Sequence, residues 1–305
     1  MTGPSDQSMI EIFTLAGIGE IEPGTDLVAV IGEAVDRQGG LQDGDVVVIT
    51  SKIVSKAEGR FADATDRQAV IDAETVRTVA RRQSMGIVET HHGLTQAGAG
   101  VDNSNVDQGR ILLLPADPDG SAERIRVGLA TRTGVRIGVI LSDTAGRAWR
   151  IGQTDHAIGS AGVAVLDRYA GRQDAYGNEL HVTAIAIADE LAAAADLAKT
   201  KLAGTPVAII RGVGEHVVDP GPTARDLLRT GEEDLFHRGT REAVLGALLA
   251  ALGRADRYES VVRLWDRDEL YAAITEGVEL GEPELIMIRK LITAAQPLWP
   301  AAGQA

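Results

Sequence analysis

Residues Val139-Ile140-Leu141-Ser142-Asp143-Thr144-Ala145-Gly146-Arg147-Ala148-Trp149-Arg150 carry an apolar run into a polar, glycine-containing one. The run begins at Val135 and reads as a buried strand, since a short continuous apolar stretch bounded by turn residues fits a strand covered on both faces. Asp143 stands at its end, followed by Thr144, Gly146 and Arg147. Carboxylate and hydroxyl oxygens suit a hard cation such as magnesium or manganese, and arginine offers a fork of donors to phosphate oxygens. A second aspartate, Asp102, lies in the Gly/Ala-rich loop Ala97-Gly98-Ala99-Gly100-Val101-Asp102-Asn103-Ser104-Asn105, where backbone can approach a ligand closely. Simpler features suit the same residues: a strand-ending turn at Asp143-Thr144-Ala145-Gly146, and an Asx turn at Asp102-Asn103.

Outward from this stretch, Ile10–Leu15 reads as a first strand. Thr25 or Asp26 can cap a helix that runs to about Gln38 and stops at Gly39-Gly40. Asp45–Thr50 is a β-branched strand leading into Ser51-Lys52-Ile53-Val54-Ser55-Lys56, whose paired lysines also suit a solvated turn. Spacing predicts a helix over about 73–82, strands near 87–90 and 111–114, and a helix over about 121–131. After Asp143 the reading is a Gly-rich stretch to about Gly162, then strands over 163–166 and 182–188. An Ala-rich helix over 189–202 and a buried strand over 206–211 follow. Three amphipathic helices are expected near 241–253, 267–275 and 283–295. The elements lack a strict βαβ rhythm, so the expected fold is mixed α/β (α+β) with a mixed sheet.

Composition narrows the function. The chain has 305 residues, 44% of them apolar, with a formal net charge of −14 and aromatics at only 3%. A basic face for nucleic acid or an anionic membrane is not expected, and base-stacking platforms are disfavoured. A polyanionic substrate must therefore meet a local basic pocket or a metal. Cysteine is absent, which excludes disulfides, thiolate metal sites and cysteine nucleophiles. Residues 1–8 are polar and no apolar run approaches membrane-spanning length, so the cytoplasm is the default expectation. The only lysines are Lys52, Lys56, Lys199, Lys201 and Lys290.

Absent motifs help as well. There is no Gly-x-x-x-x-Gly-Lys-Ser/Thr loop, and Gly17-x-Gly19 continues to Glu22 rather than completing a dinucleotide fingerprint. A bound nucleotide would have to sit outside both schemes. His91 and His92 are adjacent, so on a strand they point to opposite faces and joint ligation of a metal is not expected. No Gly-x-Ser-x-Gly elbow supports a hydrolase triad.

Taken together, the segments resemble the coenzyme F420:L-glutamate ligase family, the gamma-glutamyl ligases of the deazaflavin coenzyme. The matching stretches are Gly44–Arg60, Ala99–Val106, Ser142–Asp155, Asp174–Leu180, Ala188–Glu190 and Pro206–Gly212, in family order across residues 10–240. The resemblance implies a ligase domain over 9–240 followed by a helical extension over 241–305. It also implies an intertwined homodimer with the nucleotide near the subunit interface. It implies GTP as co-substrate, with L-glutamate and the coenzyme F420 precursor as partners. The implied cofactors are magnesium or manganese, as a pair of cations, with potassium as a further candidate. Transfer of the GTP gamma-phosphoryl group would give an acyl phosphate, which the glutamate amine displaces; gamma-linked extension of the glutamate tail follows.

Carried over by position, the family's metal ligands fall on Asp102, Asp143 and Thr144. Its nucleotide contacts fall on the loop Ile18, Gly19, Glu20 and Ile21, on Ser51 and Lys56, and on Asn105, and a further nucleotide-and-metal segment is expected near Lys199–Pro206, which includes Lys201. Arg147 is a phosphate candidate that could equally pair with a surface carboxylate. Glu190 is a catalytic candidate, although an acid opening a helix is favoured by the macrodipole alone; Asp155 reads the same way. Two departures stand out. Residues 17–19 read Gly-Ile-Gly where relatives often have Gly-Leu-Pro. Some relatives carry a carboxylate close to Lys201, and lysine cannot ligate a second cation. Some relatives append a flavin-binding nitroreductase-like domain; the residues after 240 are too few for it, so FMN is not expected. The alternatives are the same chemistry on another acidic acceptor, or a catalytically weak nucleotide-binding scaffold.

Overall fold

The computed structural model describes residues 9–82, 85–201, 203–231 and 234–295. Residues 1–8, Leu202 at the expected end of the Ala-rich helix, and residues 296–305 of the expected extension lie outside the described residues. The chain begins with β1 (Glu11–Thr14), α1 (Leu27–Arg37), β2 (Val46–Thr50), α2 (Ser51–Ala57), β3 (Phe61–Asp63) and α3 (Arg67–Glu74). It continues through β4 (Thr75–Arg82), β5 (Met85–Thr90), β6 (Thr95–Ala97), β7 (Arg110–Leu112) and α4 (Pro118–Thr133). Then come β8 (Gly138–Arg147), β9 (Arg150–Ala161), β10 (Asp167–Arg168), β11 (Ala184–Ile185), α5 (Ile187–Lys199) and β12 (Val207–Arg211). The last elements are α6 (Thr240–Ala251), α7 (Tyr258–Val261), α8 (Arg267–Thr275) and α9 (Glu282–Ala294). No described helix is long and apolar enough to cross a membrane.

Packing groups these elements into two compact units: Met1–Arg67 with Val101–Leu228, and Gln68–Gly100 with Arg229–Ala305. The first is built on a five-stranded sheet in the order β1-β12-β2-β8-β9. Only β2 and β8 run parallel; the other neighbours are antiparallel, so the sheet is mixed as expected. The central strands are almost wholly Val, Ile and Leu because both of their faces are covered. Val46, Val48, Ile140, Ala208 and Ile210 form one core with Ala188, Leu191, Ala192 and Ala195 of α5. The side chains between them alternate to the other face, and α4 packs against β8 and β9. There Gly159 is required by space: a Cβ would lie 2.5 Å from the Pro118 carbonyl oxygen.

The second unit pairs the antiparallel sheet β4-β5-β6 with α6–α9. Leu245, Leu249, Val261, Val262, Leu270, Ile274, Ile288 and Ile292 make its apolar cluster. The three helices expected from spacing are all present, and α7 is an additional short one.

Several local expectations are corrected. Residues 75–82 form strand β4, with the helix over Arg67–Glu74 just before it. Thr75, Val76, Thr78 and Val79 are β-branched, and Thr75, Arg77, Thr78 and residues 80–82 pair with β5; that pairing overrides the helical spacing. The Gly-rich stretch after Asp143 is the twelve-residue strand β9, and β8 runs on through Asp143 to Arg147 rather than ending before it. Ser51–Ala57 is a helix whose Lys56 is buried, not a solvated turn. The expected strand over 163–166 reduces to one bridge, Val163 with Val217, and that over 182–188 to the two residues of β11.

Candidate active site

The parallel pair β2–β8 sets up the site. Thr50 pairs with Ser142, so Ser51, the first residue of α2, lies beside Asp143. Ser51 Oγ donates to Asp143 Oδ1 at 3.1 Å. Ligands in such sheets bind beyond the carboxyl ends of parallel strands, and a cavity of about 330 Å³ opens there. Its walls are the loop Ile18–Ile21, Lys52, Ile53 and Lys56 of α2, Asn105, and Asp143 and Thr144 of β8. Asp155 of β9, Asp196 and Lys199 of α5, and Thr200, Lys201 and Thr205 beyond it add polar groups to the lining.

Alternation along β8 sorts its polar residues. Ser142 and Thr144 share a face, and Asp155 on β9 pairs directly with Thr144. Thr144 Oγ1 donates to Asp155 Oδ1 at 2.7 Å, and Ser142 Oγ donates to Asp155 Oδ2 at 2.8 Å. Lys199 Nζ donates to Ser142 Oγ at 2.8 Å and to Asp155 Oδ2 at 3.1 Å. Burial by itself would push the Asp155 carboxyl up; Lys199 and the two hydroxyls outweigh it and hold it below the usual carboxylate range. Asp143 goes the other way. It keeps some solvent access through the cavity yet lies deep among protein atoms. Burial first, then repulsion from Asp155 and Asp102, raises its pKa to about 6, against the opposing effects of Ser51 and Lys52. Two neighbouring carboxylates with pKa values pushed apart are a mark of sites that do chemistry.

Asp102 is anchored beside this cavity. Ser104 donates to it from backbone N at 2.8 Å and from Oγ at 2.9 Å, and Lys52 Nζ is 2.6 Å from its Oδ2. Burial works to raise its carboxyl, but Lys52 and Ser104 together hold it low. One turn along α2 from Lys52, Lys56 pairs with Glu20, which ties the 18–21 loop to α2.

Most of the residues anticipated from the sequence therefore converge. Ile18, Gly19, Glu20, Ile21, Lys56, Asn105, Asp143, Thr144 and Lys201 line one cavity, and Ser51 is buried behind Asp143. Arg147 and Glu190 do not line it; Arg147 is exposed at the end of β8 and Glu190 is exposed in the first turn of α5. Lys52 and Asp196 were not anticipated, Lys199 opens the expected segment 199–206 that borders the cavity, and Asp155 lies buried on strand β9, not at the start of a helix. One signal for the lysines was present: in an arginine-rich chain, four of the five lysines line this cavity.

The donor set fits a hard divalent cation. Asp102, Asp143 and Thr144 offer only oxygen, and the raised Asp143 carboxyl is a negative charge still short of a cationic partner. Among the described residues no three acidic or histidine side chains converge to hold a metal unaided. Magnesium sites that use one or two carboxylates are completed by water and substrate phosphates.

The model of the family described as F420-0:Gamma-glutamyl ligase matches residues 17–212. A coenzyme F420:L-glutamate ligase of Archaeoglobus fulgidus is 37% identical over 248 residues, covering 75% of this chain and 97% of that protein. One of Methanothermobacter thermautotrophicus is also 37% identical over 248 residues, covering 74% and 98%. One of Haloarcula marismortui is 35% identical over 260 residues, covering 76% and 98%.

Proposed function

Since the chain belongs to the F420-0:gamma-glutamyl ligase family, we propose that it joins L-glutamate to the deazaflavin precursor F420-0 in an amide bond, using GTP. The observation that supports this most directly is the meeting of four lysines with Asp143, Asp155 and Asp196 on one cavity in a chain of net charge −14. Such a cavity suits a polyanion that is bound and then chemically altered.

A carboxylate does not condense with an amine in water unless one of its oxygens becomes a good leaving group. In the proposed reaction the acceptor carboxylate attacks the gamma-phosphorus of GTP, the bond to the beta-phosphate oxygen breaks, and GDP leaves. The glutamate amine then attacks the acyl carbon, losing a proton, and inorganic phosphate departs. Catalysis of the first step is mostly positioning and charge neutralisation. Lys56 and Lys201 face the phosphates as point charges. The 18–21 loop and Asn105 border the nucleotide. Ser51 orients Asp143, and Asp102, Asp143 and Thr144 would hold magnesium or manganese. When bound, that metal supplies charge neutralisation across the phosphate oxygens. Arg147 and Glu190 lie outside the cavity and take no part in this reading. Repetition on the gamma-carboxylate of the newly added residue would extend the tail.

The family match crosses the boundary between the compact units at residue 67. About three quarters of this chain accounts for nearly the whole length of its relatives, which supports a ligase part over 9–240 with 241–305 as an addition to it. The family's homodimer is part of the same reading; the exposed Trp149 and Ile151 between and at the start of the paired strands β8 and β9 offer apolar surface to a second copy. Sedimentation of the full chain tests it: a monomer at micromolar concentration would remove the dimer.

The decisive experiment incubates the protein with GTP, L-glutamate, manganese and F420-0 and reads product masses. Glutamyl additions with stoichiometric GDP establish the activity and the tail length. Bound GTP with no glutamylated product would overturn the acceptor assignment.

A further inference from the structure

We propose that Asp155 and Lys199 act as a positioning pair that presents the Thr144 hydroxyl to the cation as a lone-pair donor. The inference rests on Thr144 being a cation ligand, and it assigns a task to two buried residues that the proposed mechanism otherwise leaves unused.

A hydroxyl has one proton and two acceptor lone pairs. Thr144 Oγ1 gives its proton to Asp155 Oδ1 at 2.7 Å, so only lone pairs remain for a partner in the cavity. That is the form a cation requires; a hydroxyl free to rotate can turn its proton toward the charge instead. Asp155 is suited to this task because it is acceptor-only and held still. It is paired with Thr144 across the strands, and it and Lys199 are 3% and 4% exposed.

Lys199 supplies the other half. Its ammonium, on the last residue of α5, lies 3.1 Å from Asp155 Oδ2 and donates to Ser142 Oγ at 2.8 Å. Ser142 in turn donates to that same Oδ2 at 2.8 Å. With Oδ2 taken by two donors and Oδ1 by Thr144, the carboxylate is fixed in direction, and its charge is neutralised without the cation. Asp155 therefore acts through Thr144 and not as a ligand. A buried ion pair whose task is only to fill the core would make no such demand on Thr144. Partners that orient a metal ligand typically change metal affinity ten- to a hundredfold when removed.

The test titrates manganese(II) into the full chain and reads free ion by electron paramagnetic resonance, with circular dichroism to check the fold. Thr144→Val and Asp155→Asn should each weaken manganese binding by about ten- to a hundredfold. The variant carrying both should be no weaker than Thr144→Val alone within about twofold, because a positioning residue has nothing left to position. Thr144→Ser should restore binding while Asp155 is present and fail to restore it beside Asp155→Asn. Asp155→Asn leaves the buried Lys199 ammonium unpaired; where that variant does not fold, the same cycle is run with Lys199→Met in every member. Losses that multiply, or unchanged affinity in Asp155→Asn beside a weakened Thr144→Val, overturn the positioning role and leave Thr144 as a ligand. Unchanged affinity in Thr144→Val overturns the ligand assignment itself, and the positioning role with it.

Discussion

Each compact unit holds a buried network of charge, and the two end differently. In the first, Lys199 and Asp155 terminate on the hydroxyls of Ser142 and Thr144, beside a cavity. In the second, Arg241 and Glu242 are 3% and 2% exposed and pair at 2.9 Å. Arg241 also donates from Nη1 and Nη2 to the carbonyls of Val262 and Leu264, at 3.1 and 2.6 Å. Glu242 accepts from the Arg81 backbone, and Tyr258 OH donates to the Thr78 carbonyl at 2.9 Å. The second network closes on backbone: it joins α6 to β4 and to the turn after α7. The first closes on side chains that retain lone pairs facing open space. Burial and pairing of charge do not distinguish a working site from a structural tie; what the network terminates on does.

The sharpest way to separate the two is to remove one charge from each. Asp143→Asn should cut turnover about a thousandfold, about 4 kcal/mol of barrier. Its unfolding midpoint should hold or rise, because the lost carboxyl is one that burial already disfavours. Steady-state kinetics and thermal unfolding read both; near-normal turnover would remove Asp143 from the chemistry. Arg241→Met should do the reverse, costing about 3 kcal/mol of stability by leaving Glu242 buried and unpaired, with GTP affinity unchanged. Adding Glu242→Gln should recover most of that loss in denaturant titrations. If Arg241→Met instead weakened GTP binding at unchanged stability, the contrast between the networks would fail.

Two smaller effects refine the contrast. Lys56→Ala should weaken GTP binding about tenfold, about 1.4 kcal/mol, as seen by calorimetry, with little change in unfolding. Tyr258 should set an alkaline limit on the second unit. Burial is the main cause that raises its pKa to about 12, above the ordinary phenol value of about 10. The folded state therefore keeps a proton that the unfolded state gives up. The stabilisation is complete below about pH 10 and is lost as pH rises through about 10 to 12. Tyr258→Phe should flatten that dependence at a cost of about 1 kcal/mol, and an unchanged alkaline profile would remove the phenol from it.

Much of this architecture was legible along the chain. The apolar runs at Val46–Thr50, Gly138–Leu141 and Val207–Arg211, the Asp26 cap and the amphipathic spacing after residue 240 each act over a few residues, which is the range of local sterics, capping and periodicity. The motif residues around Ser51, Asp102 and Asp143 were readable for the same reason, since each lies in a contiguous segment. Strand β4 was not: its helical spacing was overruled by pairing with β5, a contact that no local window contains. Strand β9 was hidden by glycines, one of which is there because α4 leaves no room for a Cβ. The joining of Asp155, Lys199 and Thr144 was least visible of all. It depends on the register of β8 against β9 and on where α5 ends over the sheet, so the residues that meet are separated by long stretches whose path only packing sets.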